Sequence, residues 1–187
     1  MGSINRRSAL TLTLMSALAA GGANKAAALA PRSGIDNNVD HTLHRLQRQV
    51  HGSRDLIRRA FGVLVFPTII KAGFGVGAEY GEGALLVRGR TDGYYNCLSG
   101  SIGFQLGAQA RSVVILFMTE EALFKFSRTA GWKVGVDGSV ALITIGAGGS
   151  IDTDRIVSPV VGFIFDGKGL MYNLTLEGTK ISRMSDW

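Results

Sequence analysis

"KAGFGVGAEYGEG", residues 71–83, places glycine at 73, 75, 77, 81 and 83. Such a run is either a phosphate-cradling loop or a strand built for close approach. The dinucleotide pattern G-x-G-x-x-G fails, because Tyr80 stands three residues after Gly77, and no Gly-Lys-Ser/Thr of a P-loop occurs in the chain. The alternation decides instead. Glycines take odd positions and Phe74, Val76, Ala78 and Tyr80 even ones, the period of a strand with one bare and one mostly apolar face. Glycine weakens a strand, so a glycine face implies a bend or close approach by another element.

The pattern recurs outward from there. "ALLVR" (84–88) continues the glycine strand, and Asp92-Gly93 signals a turn. "SGSIGFQLGAQ" alternates again, with Ser101, Gly103, Gln105, Gly107 and Gln109 on one face; "RSVVILFM" is a continuous apolar run of buried-strand length. "WKVGVDGSVALITIGAGG" reads as another strand with small residues on one side, and "GFIFDGKGLMYNLTLEG" as a hairpin turning at Asp166-Gly167. "VLVFPTII" is a buried strand or turn whose ladder Pro67 limits. Between them "EEALFKFSR" predicts a short helix opened by Thr119, Glu120 and Glu121 and closed by Lys125 and Arg128. Upstream, residues 31–37 read as a tether. A helix capped by Asn37 or Asn38 follows, with Val39, Leu43, Leu46 and Val50 as its apolar stripe and a break at Gly52-Ser53. The expected fold class is α+β: a strongly bent, glycine-rich, mainly antiparallel sheet or partial barrel packed with an N-terminal amphipathic helix and a short second helix.

The first 30 residues stand apart. Arg6 and Arg7 precede an apolar stretch from Ala9 to Ala20 and then small residues, the layout of a secretory signal resembling the twin-arginine type, with cleavage after Ala28 or Ala30. That predicts an exported, periplasmic protein with its domain over residues 38–187. Losing Arg6, Arg7 and Lys25 with the leader lowers the net charge from +6 to +3, which permits an acidic partner without demanding one. Cys97 is the only cysteine, so no internal disulfide forms, and a buried structural thiol is expected.

Catalytic constellations are poor. His41, His44 and His51 are the only histidines; the first two could share a helix face, but a metal centre needs more ligands. No G-x-S-x-G occurs, and the carboxylates are scattered, Glu79 and Glu82 falling on opposite strand parities. We therefore expect no enzyme, no metal and no cofactor. Basic residues do cluster: Arg45, Arg48, Arg54, Arg58, Arg59 and Lys71 surround the amphipathic segment. An arginine-rich helix face suits an anionic membrane, while the same periodicity also describes a helix packed on a core with a solvated charged side. Export and modest charge argue against nucleic acid.

Four ordered motifs carry a resemblance: "GVLVFPTIIKAGFGVGAEYGEGALLVR", "SGSIGFQLGAQARSVVILFMTEEALFKF", "WKVGVDGSVAL" and "GLMYNLTLEGTKI". Together they resemble the SYLF domain, also called the Ysc84 actin-binding family. The resemblance implies a non-enzymatic lipid-binding module; eukaryotic members bind phosphoinositides and some bind actin, and bacterial members are mostly exported single-domain proteins. For this chain it implies anionic phospholipid as partner, contacted through the 39–59 segment and Lys71. The alternative expectation is a structural or interaction module that meets an envelope protein.

Overall fold

The computed structural model describes residues 32–74, 76–102, 107–145, 157–168 and 176–185. The signal reading of residues 1–30 lies outside the described residues. In chain order the elements are α1 (Arg32–Gln49), α2 (Ser53–Arg59), β1 (Gly62–Phe74), β2 (Val76–Val87), β3 (Arg90–Ile102), β4 (Gly107–Phe117), α3 (Glu120–Arg128), β5 (Trp132–Lys133), β6 (Ala141–Thr144), β7 (Val160–Lys168) and β8 (Lys180–Arg183). The strands form one sheet in the order β5-β8-β3-β2-β1-β4-β7-β6. Every pairing is antiparallel except β6 with β7, so the expected α+β class with a bent, mainly antiparallel sheet holds.

The connection between β5 and β6 requires the curl. These strands are the two opposite edges of an eight-stranded sheet, about 34 Å apart were it flat. The chain from Lys133 to Ala141 reaches at most about 29 Å fully extended. Part of that reach goes into a turn, where the Lys133 amide donates to Asp137 Oδ2 at 2.7 Å and Val134 bridges Gly138. The edges meet that span only if the sheet closes toward a half-barrel. The segment 132–145 is therefore not the single strand its alternation suggested but two short edge strands joined by a turn, with Gly135 at φ 84°.

Other expectations change in the same way. Residues 71–83 are not one strand. Phe74 pairs with Val76, Gly73 with Gly77 and Lys71 with Glu79, so the run folds on itself as the β1–β2 hairpin. Glycine on every second position hid the reversal, because any of them could turn. The β2–β3 turn falls at Arg88 and Gly89, both with positive φ (52° and 75°) as a two-residue primed turn requires, rather than at Asp92-Gly93. Asp166-Gly167 is not a hairpin turn either. Strand β7 runs through it to Lys168, with Ser112 opposite Phe165 and Ala110 opposite Lys168, so the pair forms a bulge with Asp166 at φ 56°. Helix α1 begins at Arg32, which makes the supposed tether helical and leaves Asn37 and Asn38 exposed inside it.

Two apolar cores lie on the two faces of the sheet. "RSVVILFM" is continuous because β4 is buried on both sides: Val113, Ile115 and Phe117 face α3, Phe126 and Trp132, whereas Val114 and Leu116 face the α1–α2 side. Helix α3 starts on the expected cap, Thr119, whose side chain accepts from the Ala122 amide at 3.2 Å. Pro67 sits in central strand β1, tolerated because the register shifts between Val65 and Thr68 toward β2 and between Phe66 and Ile69 toward β4. That bulge switches the residues facing the α3 side from Leu64 and Phe66 to Ile69. It also explains Gly83. A Cβ there would overlap the Val65 carbonyl oxygen and lie 2.8 Å from the Phe66 ring.

Candidate functional site

Helix α1 is fastened to the sheet at both ends. Near its start Asp36 accepts from Tyr94 OH at 2.8 Å and Thr91 Oγ1 at 3.0 Å, while the Arg32 guanidinium lies 5.4 Å from the centre of the Tyr94 ring. Near its end Asp166, turned toward the helix by the β7 bulge, accepts from Arg45 Nε and Gln49 Nε2, both at 2.7 Å. Arg45 Nη2 also donates to Thr42 Oγ1 at 3.1 Å and Ser112 Oγ at 3.2 Å, and the Ser112 hydroxyl donates to the Pro67 carbonyl at 2.8 Å. Burial works to raise the Asp166 pKa, but hydrogen bonds from Gln49 and Arg45, together with the arginine charge, outweigh it and hold the carboxyl below its ordinary range. Between these clamps Ile35, Val39, Leu46 and Val50 are buried against Val63, Val65, Ala84 and Val114. The apolar stripe of α1 is therefore core, and what the helix offers outward is its polar side, including His41, His44 and Arg48.

The six basic residues singled out from sequence divide accordingly. Arg48, at the end of α1, and Arg54, Arg58 and Arg59, on α2, are exposed. Arg54 and Arg58, four apart, share one side of α2; Arg58 Nη2 lies 3.0 Å from Asp55 Oδ1. Arg45 is committed to the Asp166 clamp. Lys71 is on the opposite face of the sheet from α1, half-buried, with Nζ 3.5 Å from Glu79 Oε1. The structure thus leaves four of the six exposed on α1 and α2, and places Lys71 on the other face of the sheet.

Lys71 belongs to a cluster that sequence reasoning missed. Arg111 Nη2 donates to Glu79 Oε2 at 2.6 Å; both side chains are buried, with Gln109 and Ile69 alongside. The signal was the register itself, since Lys71 and Glu79 are equidistant from residue 75 and become partners once the hairpin is seen. On the α1 side of the sheet an open cleft of about 630 Å³ is lined by Arg45, Thr68, Ala110, Arg111, Asp166 and Gly167. Cys97 is buried, as expected, and desolvation pushes its thiol up to about 12. Among the described residues, no group of three His, Cys, Asp or Glu could hold a metal ion, and no helix is long and apolar enough to cross a membrane.

Comparison with known proteins adds one finding. No curated protein matches the chain. A family model does: residues 98–187 match Ysc84, described as Las17-binding protein actin regulator. The matched stretch holds the end of β3, the strands from β4 to β8 and helix α3, and it begins after all six basic residues. Over residues 98–187, just under half of its length, this chain is similar to the Ysc84, or SYLF, family.

Proposed function

We propose that this protein is a non-enzymatic module that associates with anionic phospholipid through Arg48, Arg54, Arg58 and Arg59, and that it works in the periplasm after export by its N-terminal leader. The observation carrying this reading is the exposure of those four arginines on two consecutive helices, with Asp55 the one carboxylate bound among them. A basic residue near an anionic surface contributes about 1 kcal/mol, so four give reversible, salt-sensitive binding. The mechanism differs from insertion of an amphipathic helix, because the apolar stripe of α1 is buried; contact is by charge. Co-sedimentation with neutral and anionic liposomes at low and high salt tests it. Binding confined to anionic vesicles, weakened by salt and abolished by changing the four arginines to glutamate, is the expected result. Binding unchanged in that variant would refute the assignment. Amino-terminal sequencing of the protein from a periplasmic fraction tests export; a chain still starting at Met1 would argue against it.

The family description supports a second reading. Ysc84 is described by its binding to a protein and its effect on actin, so a lipid-independent protein-interaction module of the envelope is the alternative. Capture of a partner from detergent-free extract by the four-glutamate variant as efficiently as by the wild type would favour it.

A further inference from the structure

Five strand ends lie on one rim of the sheet. There β1 starts at Gly62, opposite Val87 of β2 and Phe117 of β4; Val87 is opposite Arg90 at the start of β3, and Phe117 is opposite Val160 at the start of β7. Helix α2 delivers the chain to this rim, since Arg59 is followed by Ala60 and Phe61. The Phe61 amide donates to the Phe117 carbonyl at 2.9 Å, which fixes the backbone there. Gly62 faces α3, because a Cβ on it would meet Leu123. Alternation turns Phe61 the other way, toward the α2 side with Val63. Phe61 is nevertheless 46% exposed, and Val157, on the same rim ahead of β7, is 92% exposed.

The rim is basic. Arg58 and Arg59 close α2, and Arg88 and Arg90 flank Gly89 in the β2–β3 turn; all four are exposed. The register that sets Gly62 opposite Val87 brings Arg88 beside Phe61, about 5 Å away from backbone to backbone. Among the described residues Arg59, Arg88 and Arg90 are in no ion pair. The carboxylates at this end are engaged: Asp36 is held by Tyr94 and Thr91, Asp55 is bound to Arg58, and Asp92 lies 3.6 Å from Arg183. Glu120 and Glu121 belong to α3, which packs on the other face. Guanidiniums around an uncovered ring suit a surface that is anionic outside and apolar just beneath. A bilayer of anionic phospholipid has that layering, with phosphate for the arginines and acyl chains for the ring. We propose that this rim is the edge by which the protein sits on an anionic bilayer, Arg88 and Arg90 joining the arginines of α2 on the headgroups and Phe61 entering the interface between them. The inference rests on the membrane reading above and adds to it an orientation, two further arginines and one inserted side chain.

Phe61→Trp in the full chain, mixed with vesicles of phosphatidylglycerol or of phosphatidylcholine, is the test; the wild-type spectrum subtracts the emission of Trp132 and Trp187. With anionic vesicles the introduced indole should shift to the blue and be quenched by lipids brominated along their acyl chains. With neutral vesicles it should do neither. Co-sedimentation gives the affinities. Arg88→Gln with Arg90→Gln removes two basic contacts at about fivefold each, so binding to anionic vesicles should weaken about 25-fold. Phe61→Ser should weaken it about threefold to tenfold, the value of burying the exposed half of the ring, while circular dichroism stays unchanged. An introduced indole that stays in water and unquenched while the protein sediments with anionic vesicles would overturn the proposal. So would wild-type affinity in the folded Arg88–Arg90 double variant or in folded Phe61→Ser. A blue shift that grows with protein concentration without vesicles would assign the rim to a second copy of the chain and overturn it too. Should the variants at residue 61 fail to fold, the arginine pair, which lies on an exposed turn, decides alone. No sedimentation of the wild type with any vesicle would remove the membrane reading itself, and this inference with it. Sedimentation that depends on Arg48, Arg54, Arg58 and Arg59 but on neither Phe61 nor the turn arginines would remove this inference alone.

Discussion

Replacing Gly83 with alanine tests the geometry on which the sheet turns. The added methyl would overlap the Val65 carbonyl oxygen and lie 2.8 Å from both the Val65 carbonyl carbon and a Phe66 ring carbon. Val65 and Phe66 are themselves buried in the two cores on either side of β1. Overpacking in a core costs about 1–3 kcal/mol, and the upper end applies here because the nearest atom is backbone and cannot rotate away. A loss of about 3 kcal/mol lowers the melting temperature of a domain this size by roughly 6–12 °C. Gly100→Ala is the internal control. A Cβ at Gly100 meets nothing within 4 Å, so the methyl only restricts the unfolded chain and should stabilise by about 0.4–1 kcal/mol. Urea unfolding followed by tryptophan fluorescence, to which buried Trp132 contributes, with calorimetric melting alongside, measures both. Gly83→Ala within about 1 kcal/mol of wild type would falsify the bulge at Pro67 and with it the register that pairs Lys71 with Glu79.

Other outcomes follow from named contacts. Glu79→Ala breaks the buried Arg111–Glu79 ion pair and should cost about 3–5 kcal/mol, measured by the same urea series. The Asp166 pKa is lowered in the folded protein, so its contribution is present above the unfolded pKa and is lost as pH falls through the folded one; the stability gap between wild type and Asp166→Asn should therefore shrink on acidification below the ordinary carboxylate range. With its pKa near 12, Cys97 is a protonated, buried thiol at pH 8; its reaction with an aromatic disulfide should track global unfolding, and fast labelling of the native protein would contradict its burial.

Much of the fold was legible because alternation survives in the letters. The strand parity of 71–83, the doubly buried "RSVVILFM" and the Thr119 cap all describe local physics that the structure keeps. What failed was direction. Glycine and Asp-Gly signal positive φ without saying whether the chain reverses or bulges, so Asp166-Gly167 was read as a turn although pairing with β4 carries β7 through it. The candidate surfaces were legible in type and not in position. Arginines on a helix were visible, but Arg45 is withdrawn by a carboxylate 121 residues away, and Phe61 comes beside Arg88 only once β1 and β2 are in register. No window of sequence contains such a contact.

The clamp at Asp166 also sets an order of events during synthesis. Arg45 leaves the ribosome first, and its carboxylate partner follows 121 residues later. At ribosomal rates of about 5–20 residues per second, that interval is roughly 6–24 s. Until β7 has emerged, Ile35, Val39, Leu46 and Val50 have only part of their sheet to rest on. The helix that is made first can settle on β1 and β2 once they have emerged, but its far end is pinned only when β7 brings Asp166.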